Sequence, residues 1–109
     1  MPVHLPTPVD VYFASENAHD TDALATCFAV HASVKDEGRI IDGLDAIKAW
    51  RVETLRKYRH TVEPLGVVER DGKTVVTVKV SGNFPGSPAN LEFIFGLDGG
   101  RIASLEIRG

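Results

Sequence analysis

The stretch TVEPLGVVERDGKTVVTVKVS, residues Thr61–Ser81, decides the fold class. At its centre Asp71-Gly72 is a two-residue hairpin signal, and the runs on either side, Val62–Glu69 and Thr74–Ser81, are rich in β-branched residues. In the second run Val76, Val78 and Val80 alternate with Thr77 and Lys79, so that strand has one buried face. Pro64 removes a ladder donor and marks the first run as an edge strand or a bulged one. Downstream the β pattern continues. After a loop over Gly82–Pro88 comes a strand with Leu91, Phe93, Phe95 and Leu97 on one side, and Asp98-Gly99-Gly100 turns it into a last strand, Ile102–Ile107.

Upstream of Thr61 the hydrophobic period becomes helical. Thr7 as N-cap, Pro8 at the first helical position and Asp10 near the positive helix end predict a helix running to about Ala18. Asp20 or Thr21 caps a second, short helix with Leu24, Cys27 and Phe28 on one face. A third begins near Gly43 and carries Leu44, Ile47, Trp50 (or Arg51), Leu55 and Tyr58 along one side. Between the last two helices, Ser33–Asp36 reads as a short strand ending at Glu37-Gly38, with Val34 and Asp36 on the same face. The expected fold is α+β: three N-terminal helices on a curved, mostly antiparallel sheet, one domain over residues 1–109.

Composition narrows the function. With 12 Lys and Arg against 15 Asp and Glu, the net charge is -3 and the longest basic run is Arg56-Lys57, which argues against nucleic acid and anionic membranes as partners. Cys27 is the single cysteine, so no internal disulfide forms, and its surroundings hold nothing basic to stabilise a thiolate. Neither a signal peptide in Met1–Pro8 nor a membrane span is found, and the cytoplasm is the expected compartment. His4, His19, His31 and His60 lack the cadence of metal ligands, and no Gly-x-Gly-x-x-Gly motif cradles a phosphate; no metal or organic cofactor is expected. Asp20 and Asp22 sit where they serve a helix start, while Arg51, Arg59 and Glu63 read as solvated surface.

The order of elements, with Tyr12, Asn17, Asp20, Leu24, Phe28, Ala32, Val34 and Asp36, then Gly43, Ala46 and Ile47, then the Gly82–Pro88 loop, Phe93-x-Phe95 and the Asp98–Ile102 turn, resembles the nuclear-transport-factor-2-like superfamily in its SnoaL-like and ketosteroid-isomerase-like branches. The resemblance implies a cone whose sheet curls around an apolar pocket closed by helices. It also implies roles: Asp36 moves a proton and Tyr12 donates a hydrogen bond to the developing oxyanion. A carboxylate in an apolar cavity abstracts a C–H proton only when a fixed donor stabilises the enolate oxygen. The isomerase's third polar group, a neutral aspartic acid, falls where this chain has Leu91, and the proline after its base is replaced by Glu37. The acid-arginine-acid set of the epoxide-hydrolase branch finds no counterpart among the apolar late strands.

The pocket residues the resemblance implies are Phe13, Val34, Trp50, Tyr58, Val78, Phe84, Leu91, Phe93 and Phe95. The expected activity is cofactor-free acid/base chemistry, proton transfer next to a carbonyl on a hydrophobic substrate, of the isomerase or polyketide-cyclase kind. The alternative is a non-catalytic ligand-binding or dimerisation module of the same fold. Pairing with a larger partner, as the transport factor does, is a weaker third reading. A homodimer through the outer face of the sheet is expected, with Ile94 and Ile102 outside the cone.

Overall fold

The computed structural model describes residues 4–36 and 38–109 of the chain. Met1–Val3 and Glu37, including the turn read at Glu37-Gly38, lie outside the described residues in whole or part. Helix α1 spans Thr7–Ala18. A 3-10 turn, Thr21–Ala23, runs into the short α2, Leu24–Cys27. Strands β1, Phe28–Asp36, and β2, Arg39–Asp42, precede α3, Leu44–Tyr58. Then come β3, Thr61–Arg70, β4, Lys73–Ser81, β5, Ala89–Asp98, and β6, Arg101–Arg108. No helix among the described residues is long and apolar enough to cross a membrane.

One six-stranded sheet has the order β2-β1-β6-β5-β4-β3; β1 and β6 run parallel and every other neighbouring pair antiparallel. The Asp71-Gly72 hairpin is present with both turn residues at positive φ, 55° and 76°, the geometry of a twist-matched two-residue turn, which glycine adopts without penalty. Pro64 satisfies both readings made of it. Strand β3 is an edge, and its register against β4 slips between Pro64 and Gly66, so the missing N–H falls where the ladder is already broken.

Several boundaries differ from expectation. Helix α1 is capped by Pro6 rather than Thr7, with no side-chain cap, because extended Pro6 feeds the first backbone bond, from Asp10 N–H to Pro6 O at 2.9 Å. At the 3-10 turn Asp20 does cap, accepting from Ala23 N–H at 3.4 Å. Strand β1 starts at Phe28, five residues before the predicted Ser33, because it pairs with both β2 and β6. Strand β2 was not predicted; it is four residues long and pairs Ile41 with Val34 and Arg39 with Asp36.

Ile102 is also corrected. It is buried in the core rather than outside the cone, because β6 holds an extra residue between Ile102 and Ser104 that turns both Ile102 and Leu105 inward. The same slip ends the inward run of β5, so Leu97 is exposed while Phe93 and Phe95 are buried. The core is aromatic at its centre: Tyr12 meets Phe13, Phe28 and Phe95 edge to face at 5.2, 5.7 and 5.5 Å between ring centroids. Helix α1 thereby lies against the concave face of the sheet, and α3 closes one end.

Candidate functional site

A cavity of about 390 Å³ opens between α3, the ends of α1 and β1, and the concave faces of β4, β5 and β6. Its apolar wall is made by Val80, Phe84, Pro85, Leu91, Phe93 and Ile107. Its polar wall is made by Glu16, Asp36, Arg51, Thr54 and His60, with Trp50 and Tyr58 between. This size is in the range of small-molecule sites.

Asp36 reaches the cavity because it shares the inward face of Ala32 and Val34 and is the last residue of β1. At the strand end it is half-buried, and Trp50 Nε1 donates to its Oδ2 at 3.3 Å. Trp50 lies one helical turn past Ile47 on the buried face of α3, so the indole N–H is aimed by the packing of the helix on β1.

Behind Trp50 sits a buried ionic cluster. The Arg51 guanidinium lies over the Trp50 ring at 4.3 Å and beside the Tyr12 ring at 5.4 Å. Its Nη1 donates to Glu16 Oε2 at 2.9 Å, and its Nη2 donates to the Tyr12 hydroxyl. Thr54 Oγ1 and His60 Nε2 lie 3.4 and 3.0 Å from the same Nη1, and His60 Nε2 is hydrogen-bonded to Glu16 Oε2. Glu16 is 2% exposed and Arg51 3%. Burial by itself pushes the Glu16 carboxyl upward, but the Arg51 charge and the His60 hydrogen bond outweigh it and hold the group below its ordinary value. Burial drives the Tyr12 phenol well above its ordinary value against the opposing Arg51 charge, so the hydroxyl stays neutral.

Local structure explains how residues so far apart in sequence converge. Arg59 ends α3 in a left-handed conformation, φ 48°, its N–H bonded to Leu55 O at 2.9 Å, and the chain turns there so that His60 meets α1. Asn17 fixes α1 to the next strand: its amide donates to Val62 O at 2.9 Å and accepts from Val62 N–H at 2.8 Å. Gly82 closes the other side, since a Cβ there would sit 2.8 Å from Tyr58 O and 2.9 Å from His60 Cβ. That close approach brings the loop carrying Phe84 onto α3, where Phe84 packs edge to face on Tyr58 at 5.9 Å.

Of the residues named from sequence, Asp36, Trp50, Tyr58, Phe84, Leu91 and Phe93 come together at the cavity. Phe13, Val34, Val78 and Phe95 do not line it; they are 0 to 3% exposed and form the core beneath. Tyr12 is fully buried, and its hydroxyl accepts from Arg51 at the back of the wall rather than lining the cavity. Arg51, read as solvated surface, is corrected: it is buried because Glu16, His60 and Tyr12 supply its partners. Arg59 and Glu63 are exposed as expected. Glu16 and His60 were missed as site residues. Among the described residues no group of His, Cys, Asp and Glu has the arrangement of a metal site, and Cys27 is buried with its thiol pushed up to about 11 by burial.

The model of the SnoaL-like domain matches residues 9–105. Among solved structures, a candidate polyketide cyclase from Sinorhizobium meliloti is 43% identical, with 95% of each chain covered and a TM-score of 0.91. A protein with a ketosteroid isomerase-like fold from Catenulispora acidiphila, solved with trimethylamine, is 18% identical over 97% of this chain and 87% of that one, with a TM-score of 0.83. A candidate isomerase of the SnoaL-like family from Agrobacterium tumefaciens is 16% identical over 93% and 92%, at 0.75. No curated protein sequence matches the chain. The described cone of three helices on a six-stranded sheet and the matched span of nearly the whole chain agree, and the chain belongs to the SnoaL-like domain family.

Proposed function

We propose that this chain binds a hydrophobic carbonyl compound in its cavity and moves a proton next to the carbonyl by acid/base chemistry without a cofactor, with Asp36 as the base. The observation that carries this reading is the placement of Asp36: a carboxylate at the wall of an otherwise largely apolar cavity, oriented by the Trp50 N–H at 3.3 Å. A base so placed meets an acidic C–H of a substrate whose apolar body lies on the opposite wall. Arg51 is the fixed positive charge of the polar wall, clamped by Glu16 and Tyr12, and a clamped donor stabilises a developing oxyanion without reorganising. Tyr12 then acts through Arg51, as a positioning residue. The 43% identity to a candidate polyketide cyclase supports the same class of chemistry.

The test uses β-tetralone, a small apolar ketone with an acidic C–H, and follows exchange of that hydrogen in heavy water by proton NMR. The wild-type chain is expected to accelerate exchange, and Asp36→Asn to lower the acceleration at least ~100-fold while keeping the fold. Exchange that Asp36→Asn leaves unchanged would remove the base and favour the non-catalytic binding module. We also propose that two copies pair through the outer face of the sheet. In support, Val68, Val75 and Ile94 stand in register across β3, β4 and β5 on that face, and Val68 is 54% exposed.

A further inference from the structure

Trp50 and Arg51 are neighbours on α3. Adjacent residues on a helix point ~100° apart and do not ordinarily face each other, yet the Arg51 guanidinium lies over the Trp50 ring at 4.3 Å. It is drawn there from outside the helix. Glu16 Oε2 and the Tyr12 hydroxyl, both on α1, accept from its Nη1 and Nη2, and His60 Nε2, past the end of α3, lies 3.0 Å from Nη1. The other contact of the indole is with the base: Nε1 donates to Asp36 Oδ2 at 3.3 Å. Trp50 is 5% exposed, so its ring is gripped by packing. The indole thus touches both the buried ionic cluster and the carboxylate at the cavity wall.

A cation on the face of an indole draws on its π density and polarises the ring N–H, and a polarised donor makes a stronger hydrogen bond. An N–H given to a carboxylate favours the ionised form and fixes the plane of the group. Both effects serve a base, which must be ionised and correctly turned before an acidic C–H arrives. At 3.3 Å the Trp50 to Asp36 bond is long enough for a small tilt of the ring to break it. A guanidinium lying on the ring and tied to another helix resists that tilt.

We propose that Arg51 is a positioning residue for the Asp36 base, acting through Trp50: the guanidinium held by Glu16, Tyr12 and His60 keeps the indole in place and strengthens the N–H that the carboxylate accepts. This rests on the reading of Asp36 as the base. It gives the sealed cluster a function for which none of its atoms has to touch a substrate. Other ionisable groups also face Asp36. Arg39 pairs with it between β1 and β2, Glu53 and Lys57 of α3 share a small recess with it, and Glu16, Arg51 and His60 share the cavity. Its charge is felt at Tyr12 as well. A test of the indole route must therefore separate it from charge acting through space.

The experiment follows the Asp36 carboxyl carbon by NMR across a pH titration, together with the indole N–H. Trp50 is the single tryptophan, so the indole gives one resonance. In the wild-type chain that resonance is expected to move in step with Asp36, and Asp36→Asn to abolish the step. Trp50→Phe leaves a ring beneath the guanidinium and deletes the N–H; it is expected to move the Asp36 titration, and with it the acid limb of β-tetralone exchange, up by ~0.5–1 pH unit. Arg51→Met is expected to move Asp36 in the same direction, but less than half as far in the Trp50→Phe background, where the route through the N–H is already cut. Where Arg51→Met does not fold, Arg51→Lys runs the same cycle, keeping a charge but losing the flat face that lies on the ring. An Asp36 titration unmoved by Trp50→Phe, an indole resonance with no step that Asp36→Asn removes, or an Arg51 shift equally large in both backgrounds overturns the inference. These titrations need no turnover. Coupling seen in a chain that accelerates no exchange overturns the base reading alone, whereas exchange without the coupling overturns the positioning role alone.

Discussion

Replacing Arg51 by methionine tests the ionic cluster where its parts are most tightly coupled. The substitution keeps an unbranched side chain of similar reach but deletes the charge that holds Glu16, which is 2% exposed. It also removes the cation stacked on Trp50 at 4.3 Å and the donor to the Tyr12 hydroxyl. Stripping one partner from a buried ion pair costs ~3–5 kcal/mol, because the other charge is left in low dielectric. His60 stays on Glu16 Oε2, so the lower end of that range applies first. A loss of ~3 kcal/mol is a sizeable part of the ~5–15 kcal/mol that holds a domain together. Urea unfolding followed by fluorescence of Trp50, the single tryptophan, measures it directly.

The pH dependence carries a second signature of the same change. In the wild-type chain Glu16 is held below its ordinary value of 4.5. Such a carboxyl contributes stability that is fully present above its unfolded value and lost as pH falls through its folded one. In Arg51→Met burial acts on Glu16 with His60 and Tyr12 left to oppose it, so the carboxyl moves up and that contribution shrinks or reverses. The gap in stability between the two chains is therefore expected to be widest near pH 7 and to narrow as pH falls below ~4.5. An apolar triple replacement, Glu16→Leu with Arg51→Met and His60→Leu, is expected to cost less than Arg51→Met alone, since no charge then remains buried. A cost below ~1 kcal/mol for Arg51→Met, or single costs that simply add in the triple, would refute the coupling.

Tyr12→Phe leaves one Arg51 hydrogen without its acceptor and is expected to cost ~1–3 kcal/mol in urea unfolding, with a smaller loss of β-tetralone exchange than Asp36→Asn; an exchange loss as large as that of Asp36→Asn would place the hydroxyl at the reacting oxygen instead. Cys27, with its thiol pushed up to about 11, is expected to resist a thiol-disulfide reagent at pH 8 in the folded chain and to react at once in urea; rapid labelling of the folded protein would contradict the burial. Sedimentation at micromolar concentration is expected to show about twice the 11.8 kDa chain mass, and Val68→Glu to return it to that of one chain; a wild-type chain sedimenting as a single 11.8 kDa species would remove the pairing.

The fold was legible where a side-chain period and a turn residue agree. Asp71-Gly72 and the alternating valines of β4 define a hairpin by local chemistry alone, and Pro64 locates its own bulge. What escaped was set by non-local pairing. Ala29–Ala32 shows little alternation, yet β1 reaches back across it because Phe28 pairs with Ile102 of the parallel β6, the register breaking between Phe28 and Ser33. Ile102 kept the strand parity of a regular ladder in the reading and lost it in the structure, because one extra residue before Ser104 flips the face of everything beyond it. No residue in Ile102–Leu105 advertises that bulge.

The site divides along the same line. Asp36 was legible because two-residue periodicity ties it to Val34, and the two residues do share an inward face. The cluster behind it was not, because 35 residues separate Glu16 from Arg51 and each is charged, and a charged residue on a helix is read as facing water. A signal was nonetheless present in the spacing. Glu16 continues the buried series Val9, Tyr12, Phe13 along α1, and Arg51 stands midway between Ile47 and Leu55 on the apolar stripe of α3. Opposite charges sitting on the apolar stripes of two helices that pack on the same sheet have few ways to fold without meeting. Taking both out of water is tolerable only as a pair with further hydrogen bonds, and His60, Tyr12 and Thr54 supply those bonds. The aromatic packing that a tyrosine at position 12 promises is real. Its hydroxyl, however, is occupied by the one guanidinium buried beside it, so the polar group that reaches the cavity from this side of the cone belongs to the charged cluster and not to the phenol.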